Sequence, residues 1–414
     1  MDTTAIGRRI AYWRERRRFT QAEFGRLMNG RSQRWVQFLE AGGRQADPRL
    51  SVLEDAARVL SVDLLVLLTD TPVTECVDDV ELARIRAALQ SHNVITGTAD
   101  SDPAAPLPVD VLRARVRYGW TAFQSSHFAS LGRLVPELLV AANQAAARHR
   151  GDDQLAAFRS LSMALQLTEA AAIKFGDSSL ATIAGHRAVA AAERSGDPVT
   201  MASACRHLAD AMTNDGQARA AAEFSVAAAA RLEAELTGKG DAGLSTLGML
   251  YLKGAMARAV AAERDDRRAA QEARAIPDLL DQAAEYATEL GGDGNALFTA
   301  YGPTNVKLYR IATHIQLSQG ADAVAVALDI SRDARAALPR ERRAHFLADL
   351  ARAYTQAGSR ENAVDTLLEA EKEAKEEVLC RPRTRQLVED LRLLGAGSAD
   401  RRLRALAVRC GLPE

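Results

Sequence analysis

The sequence is poor in cysteine, lysine, aromatic residues and net charge, and each shortage closes off a class of function. Its four cysteines stand far apart, at Cys76, Cys205, Cys380 and Cys410. No C-x-x-C pair occurs, so neither a zinc site nor a disulfide framework is expected, and the thiols are read as reduced. Aromatics make up 5% of 414 residues. With few β-branched clusters and abundant alanine, that argues against sheets and for many closely packed helices. The formal net charge is −1, which excludes a chain that grips polyanions along its whole length. The apolar run VLSVDLLVLL at 59–68 falls well short of the ~20 residues a bilayer span requires. The charged first residues are followed by no apolar stretch, so no signal peptide and a cytoplasmic location are expected. No G-x-x-x-x-G-K-[ST], H-E-x-x-H or G-x-S-x-G motif occurs, so no catalytic residue, cofactor or metal is expected.

What is present is uneven. At 414 residues the chain exceeds what one core usually supports, so two or more units are expected. Residues 1–50 hold eleven arginines, no lysine and five acids, a net of +6, which is an electrostatic footprint for phosphate. In the same region Ile6, Ile10 and Trp13 recur at helical spacing. TQAE at 20–23 reads as a capping box that opens a second helix burying Phe24 and Leu27, which Asn29-Gly30 ends. Ser32 caps a third helix with Val36 and Leu39 on its inner face, closed by Gly42-Gly43. SVLE at 51–54 reads as a further box, and an apolar helix near 64–68 completes five short helices, two of them joined by a tight Gly turn.

These residues carry a resemblance. TQAEFGRLMNGRSQRWVQFLEAGGR looks like the phage-repressor-like helix-turn-helix of the XRE family, over about Ile6 to Leu68. The resemblance implies that the helix from Ser32 to Glu40 enters the major groove of double-stranded DNA. Gln33, Arg34, Gln37 and Phe38 would face base edges: Gln pairs bidentately with adenine, Arg with guanine, and Phe38 meets a thymine methyl. Gln21 and Arg44 would clamp phosphates, and Arg31 and Ser32 complete the DNA-facing set. The family ties the acid at Glu40 to an arginine of the first helix, here Arg14. One such domain makes a small interface, so a homodimer reading two half-sites is expected.

Residues 71–111 read as a connecting helix, about 80–90, and a linker, GTADSDPAAPLP at Gly97 to Pro108. From there to residue 414 the pattern is helical and repetitive. LADAMTNDGQARAAAEFSVAAAA, IATHIQLSQGADAVAVALDISRDA and LARAYTQAGSRENAVDTLLEAEKEA share a register of apolar, Gly and small Ala positions. This resembles a degenerate tetratricopeptide (TPR) array of roughly six helix hairpins with a C-terminal cap. The expected fold is therefore all-α: a helix-turn-helix domain at 1–70 and a TPR-like α-solenoid at 112–414. The layout, with PRTRQLVEDL near the C-terminus, is similar to XRE-type regulators of GC-rich bacteria and to peptide-sensing regulators, in which asparagines on inner helices grip the peptide.

One segment breaks the repeat: GGDGNALFTAYGPTNVKLYR, Gly291 to Arg310. Pro303 suits the first turn of a new helix, and Asn305, Tyr301, Tyr309 and Lys307 are the first candidates to hold a peptide or small-molecule effector. Arg206, His207, Tyr251, Lys253 and His314 follow. The expected function is transcription regulation with effector sensing by the repeat domain; the alternative is a TPR-based protein-interaction adaptor with an accessory DNA-binding domain. A deep polar groove favours the first, a broad apolar strip the second.

Overall fold

Local capping chemistry sets the first helices. The computed structural model describes residues 3–42, 49–68, 76–91, 105–264 and 268–413, and among these every regular element is a helix and none a strand. The chain divides into two compact units, Met1–Thr74 and Glu75–Glu414. No helix among the described residues is long and apolar enough to cross a membrane.

The first unit holds α1 (Thr3–Arg16), α2 (Gln21–Leu27), α3 (Gln33–Ala41), α4 (Leu50–Leu60) and α5 (Leu64–Leu68). The Thr20 hydroxyl accepts from the Glu23 amide and the Glu23 carboxylate accepts from the Thr20 amide at 2.8 Å, a reciprocal box. Asn29 and Gly30 then turn the chain through left-handed φ. A Cβ on Gly25 would collide with the carbonyl oxygen of Arg31, so only glycine lets α2 lie this close to the start of α3. Ser32 caps α3 by accepting from the Trp35 amide at 3.2 Å, and Gly42 closes it with φ +64°. Ile6, Ile10, Phe24, Val36, Leu39, Leu53 and Leu60 form the core. Two expectations are corrected: Leu27 points out of the core and is exposed, with Phe24 and Gly25 the buried residues of α2, and α4 begins at Leu50 after Arg49 with no side-chain cap, so Ser51 lies inside the helix. Gly43 and Arg44 lie outside the described residues.

The second unit begins with α6 (Asp79–Gln90), then α7 (Val109–Gln124), α8 (Phe128–Arg148), α9 (Gly151–Phe175), α10 (Ser178–Ser195), α11 (Pro198–Asn214), α12 (Ala218–Leu236) and α13 (Gly240–Arg264). It continues through α14 (Ala269–Arg274), α15 (Ile276–Leu290), α16 (Pro303–Gln316), α17 (Gly320–Leu328), α18 (Arg332–Ala337), α19 (Arg340–Gln356), α20 (Arg360–Glu373), α21 (Lys375–Leu379), α22 (Pro382–Leu394) and α23 (Asp400–Arg409). Neighbours in sequence are neighbours in space. The pairs α7 with α8, α9 with α10, α11 with α12, α13 with α15, α16 with α17, α19 with α20 and α22 with α23 all pack together, and α11 also packs on α9 and α13. Alanines fill the crossings, among them Ala184, Ala188, Ala222, Ala257 and Ala351, all fully buried.

Two expectations fail here. The helix expected to be part of a connecting stretch, α6, is capped by an Asp78–Glu81 box and buries Ile85, Ala88 and Leu89 in the same core as α8 and α9, so it belongs to the second unit. Of the expected linker, residues 97–104 lie outside the described residues. The expectation of reduced cysteines is corrected: Cys76 and Cys380 form a disulfide across a separation of 304 residues. Sequence spacing reports only local pairing; this bond arises because the segment leading into α6 comes to lie beside the α21–α22 turn, with the two Cα atoms 5.3 Å apart. Cys205 and Cys410 are free and buried, and burial pushes both thiols up to about 11, which makes them inert packing groups at neutral pH.

Candidate nucleic-acid interface and ligand cavity

Helix α3 has two sides of opposite character. Val36 and Leu39 are 0% and 4% exposed, while Arg31, Ser32, Gln33, Arg34, Gln37 and Phe38 are all exposed. Trp35 is half-buried against the core. The Arg31 guanidinium lies 5.2 Å from the centre of the Trp35 ring, and that of Arg34 lies 5.6 Å from the Phe38 ring. Cation–π seating of this kind restricts the rotamers of two long side chains before any partner arrives.

The base of the helix is fixed by a charged network. The Glu40 carboxylate accepts from Arg14 Nε at 2.5 Å, Arg14 Nη2 at 3.1 Å and Gln21 Nε2 at 2.9 Å. The Arg14 pKa is raised, chiefly by the hydrogen bonds it donates to Glu40. Gln21 Oε1 in turn accepts from Gln37 Nε2 at 3.3 Å. Gln21 therefore sits in a relay from Glu40 to Gln37, with both ends of its amide engaged.

In the second unit, helices α7, α9, α11, α13, α16, α19 and the start of α22 enclose a cavity of about 390 Å³. Arg206, His207 and Asp210 come from α11, Lys253 from α13, Tyr309 from α16, and Arg342 and His345 from α19. Trp120 and Phe298 stack with ring centres 5.4 Å apart and planes at 7°, and Phe298 lies in the segment that breaks the repeat. Leu297, Phe298 and Ala300 take left-handed φ of 48°, 58° and 47°, strained for residues with a side chain. Gln124 holds this segment in place: its amide exchanges hydrogen bonds of 3.0 and 2.9 Å with Asn295 and donates to the Phe298 carbonyl at 3.2 Å.

Most charges of the cavity wall are paired. Lys253 meets Asp210 at 2.7 Å. Lys174 meets Glu341 at 2.5 Å and both oxygens of Glu377 at 2.9 Å, and Glu377 also receives Arg381. Glu341, His345 and Glu377 have the spacing of a metal site, but the Lys174 ammonium stands among them, 3.5 Å from His345 Nδ1. It fills the position a cation would take.

Behind the wall, Glu169 Oε2 lies 2.5 Å from His207 Nδ1, both groups almost fully buried. Burial, then the neighbouring Asp210, pushes the Glu169 pKa well above the ordinary 4.5. Burial, then Arg206 and Lys253, pushes His207 well below 6.5. Both shifts favour the neutral forms of the pair. Because the folded pKa of Glu169 is raised, its stabilising contribution is full below about 4.5 and is lost as pH rises toward the folded value. Glu169→Gln, which keeps a donor at this position, is expected to gain stability relative to wild type as pH increases from about 5 to 8. Thermal denaturation of both proteins at the two pH values reads this directly, and a difference independent of pH would contradict it.

Of the residues expected to hold an effector, Arg206, His207, Lys253 and Tyr309 reach the cavity; the others do not. Asn305 is fully buried, its Nδ2 3.4 Å from Met249 Sδ and its Oδ1 without a partner. Tyr301 is also fully buried, its ring against Gly248 and its hydroxyl donating to the Ala283 carbonyl. Tyr301 thus faces α13 and α15, and Asn305, on the first turn of α16, faces α13. Tyr251 stacks on Tyr286. Lys307 pairs with Asp329 and His314 with Gln319 on the surface. Sequence reading passed over Lys174, Arg342, His345, Arg381, Arg383 and Trp120. The signal available was RERRAHFLAD, Arg340 to Asp349: a densely charged helix amid alanine-rich ones, in which Glu341 and Arg342 sit beside buried Ala344 and Phe346.

No family model, curated protein or solved structure matches the chain.

Proposed function

We propose that the chain is a sequence-specific DNA-binding transcription regulator: α1–α5 form a helix-turn-helix domain of the XRE type, and the second unit is a TPR-like repeat that senses a small effector and dimerises in the cytoplasm. The observation that carries this reading is the two-sided α3, with every polar or aromatic residue of the DNA-facing set on it exposed and its back locked to α1 through Glu40–Arg14. The excess of arginine over acid in residues 1–50 supports it, since phosphate contacts supply much of the affinity for duplex DNA. Gln33, Arg34, Gln37 and Phe38 read base edges; Gln21 orients Gln37. The sensing half rests on a polar cavity, which the adaptor reading, with its need for a broad apolar strip, does not call for.

Selection of duplexes from a random pool by the full-length protein tests the proposal. An enriched motif with two related half-sites, about one helical turn or ~34 Å apart or a multiple of it, is expected, with affinity that falls steeply with salt. Recovery of no motif would overturn it.

A further inference from the structure

A buried arginine without a hydrogen-bonded counter-ion lines the cavity. Arg206 is 5% exposed, yet its Nε and Nη2 have no hydrogen-bond partner. None of its neighbours bonds to it: Asp210 pairs with Lys253, Glu169 gives Oε2 to His207, and Glu169 Oε1 is itself buried without a partner. An uncompensated buried guanidinium is costly and persists where something outside the chain completes it. The Nε2 of His207, beside it in the wall, is likewise buried and unpartnered. Around the cavity Lys and Arg outnumber Asp and Glu by seven to four. Glu377, just behind the wall, is already shared by Lys174 and Arg381.

Apolar and aromatic residues fill most of the rest of the lining, beside Gln124, Thr213, Asn214 and Gln316. Trp120 lies stacked on Phe298 and 5.5 Å from the His207 ring, with Phe123 at 5.7 Å from Trp120 on another side. A volume of about 390 Å³ lies at the lower end of the range for small-molecule sites, in which a few placed polar groups orient a mostly apolar ligand. The left-handed φ of Leu297, Phe298 and Ala300 is the strain that brings an aromatic ring to this place.

We infer that this cavity binds a small organic oxyanion, a carboxylate or phosphate monoester carrying an aromatic or compact apolar body, with the Arg206 guanidinium donating to the oxyanion and the body lying against Trp120 and Phe298. The planar guanidinium fork matches both oxyanions. The inference deepens the sensing half of the proposed function and is independent of its DNA-binding half.

The test uses the full-length protein without DNA and ligand-observed NMR, which detects millimolar affinities. Phenylacetate, phenyl phosphate, neutral phenylacetamide and inorganic phosphate are the probes. Phenylacetate or phenyl phosphate is expected to bind at least tenfold tighter than phenylacetamide and than inorganic phosphate, and the tighter of the two names the headgroup. Arg206→Met is expected to lose at least tenfold in that binding while the ligand-free protein melts no lower than wild type, because the substitution removes an unpaired buried charge. Equal binding of the amide, equal binding of inorganic phosphate, or no binding of either aromatic anion would overturn the inference with the wild-type protein alone. A fall in the melting temperature of ligand-free Arg206→Met would assign the arginine to the scaffold instead. The duplex selection above reads a different unit, so either result leaves the other standing.

Discussion

Arg34→Ala is expected to weaken binding to the selected operator by ~1–3 kcal/mol, roughly five- to 150-fold, and to relax preference at one base pair. Arg34 is exposed on the first turn of α3, its guanidinium seated over the Phe38 ring. That position lets the fork meet the two acceptors of a guanine edge, and alanine leaves them unsatisfied. Gln21→Ala has a different expected signature. Gln21 bridges Glu40 and Gln37, so its loss frees the Gln37 amide and should relax preference one helical turn further along, at the pair Gln37 reads. Titrations of both variants against the operator and its single-base substitutions separate these cases. If Arg34→Ala changed neither affinity nor preference, α3 would not be the reading helix. A uniform loss across all sequences would make Arg34 a phosphate contact.

The faces of α3 were legible because the signals that set them are local. A cap at Ser32, apolar residues three apart at Val36 and Leu39, and a Gly stop at Gly42 all act within one helix, and the structure keeps each of them. The tie from Glu40 to Arg14 followed from the resemblance and is present. The second unit was legible as helices, and less so as a site. The register of its quoted segments sets Gly320 against Gly358, but the left-handed turn residue equivalent to Gly358 (φ +78°) is Ser318 (φ +58°). Gly320 instead begins α17, where a Cβ would press on Gln356 and the Ala353 carbonyl oxygen. One glycine serves the turn and the other a helix crossing, and composition alone does not separate the two. The same limit hid the cavity. Glu169, Arg206, Lys253 and Glu341 come from four helices, and only packing brings them together. Asn305 and Tyr301 drew notice because they follow a helix break; the break matters, but through Asn295 and Phe298, whose roles depend on Gln124 and Trp120 more than 170 residues earlier.

Lys174→Met is expected to cost ~3–5 kcal/mol of stability at neutral pH, the range for removing one partner of a buried ion pair. The Lys174, Glu341 and Glu377 side chains are 5%, 7% and 0% exposed, so water cannot take the place of the ammonium. Methionine matches the length of the stem, and its loss of charge leaves two carboxylates near His345 with only Arg381 still paired to Glu377. In wild type, burial raises the Glu341 pKa, but the charge of Lys174, with His345 and Arg342, overrides this and holds it well below the ordinary value. Stability from that depressed pKa is present above about 4.5 and is lost as pH falls through the folded value. In Lys174→Met burial acts unopposed by Lys174 and the Glu341 pKa rises. The carboxylate then destabilises the folded state as pH increases, and its protonation relieves the protein as pH falls. The deficit should therefore be widest near pH 7 and narrow toward about pH 4.5. Adding Glu341→Gln to Lys174→Met should recover part of the loss at neutral pH, since the amide does not carry the buried charge that methionine leaves unpaired. Denaturant unfolding of wild type, the single and the double variant at two pH values measures all of this. A single variant within ~1 kcal/mol of wild type, the range of an exposed ion pair, would contradict it, as would a deficit that did not change with pH.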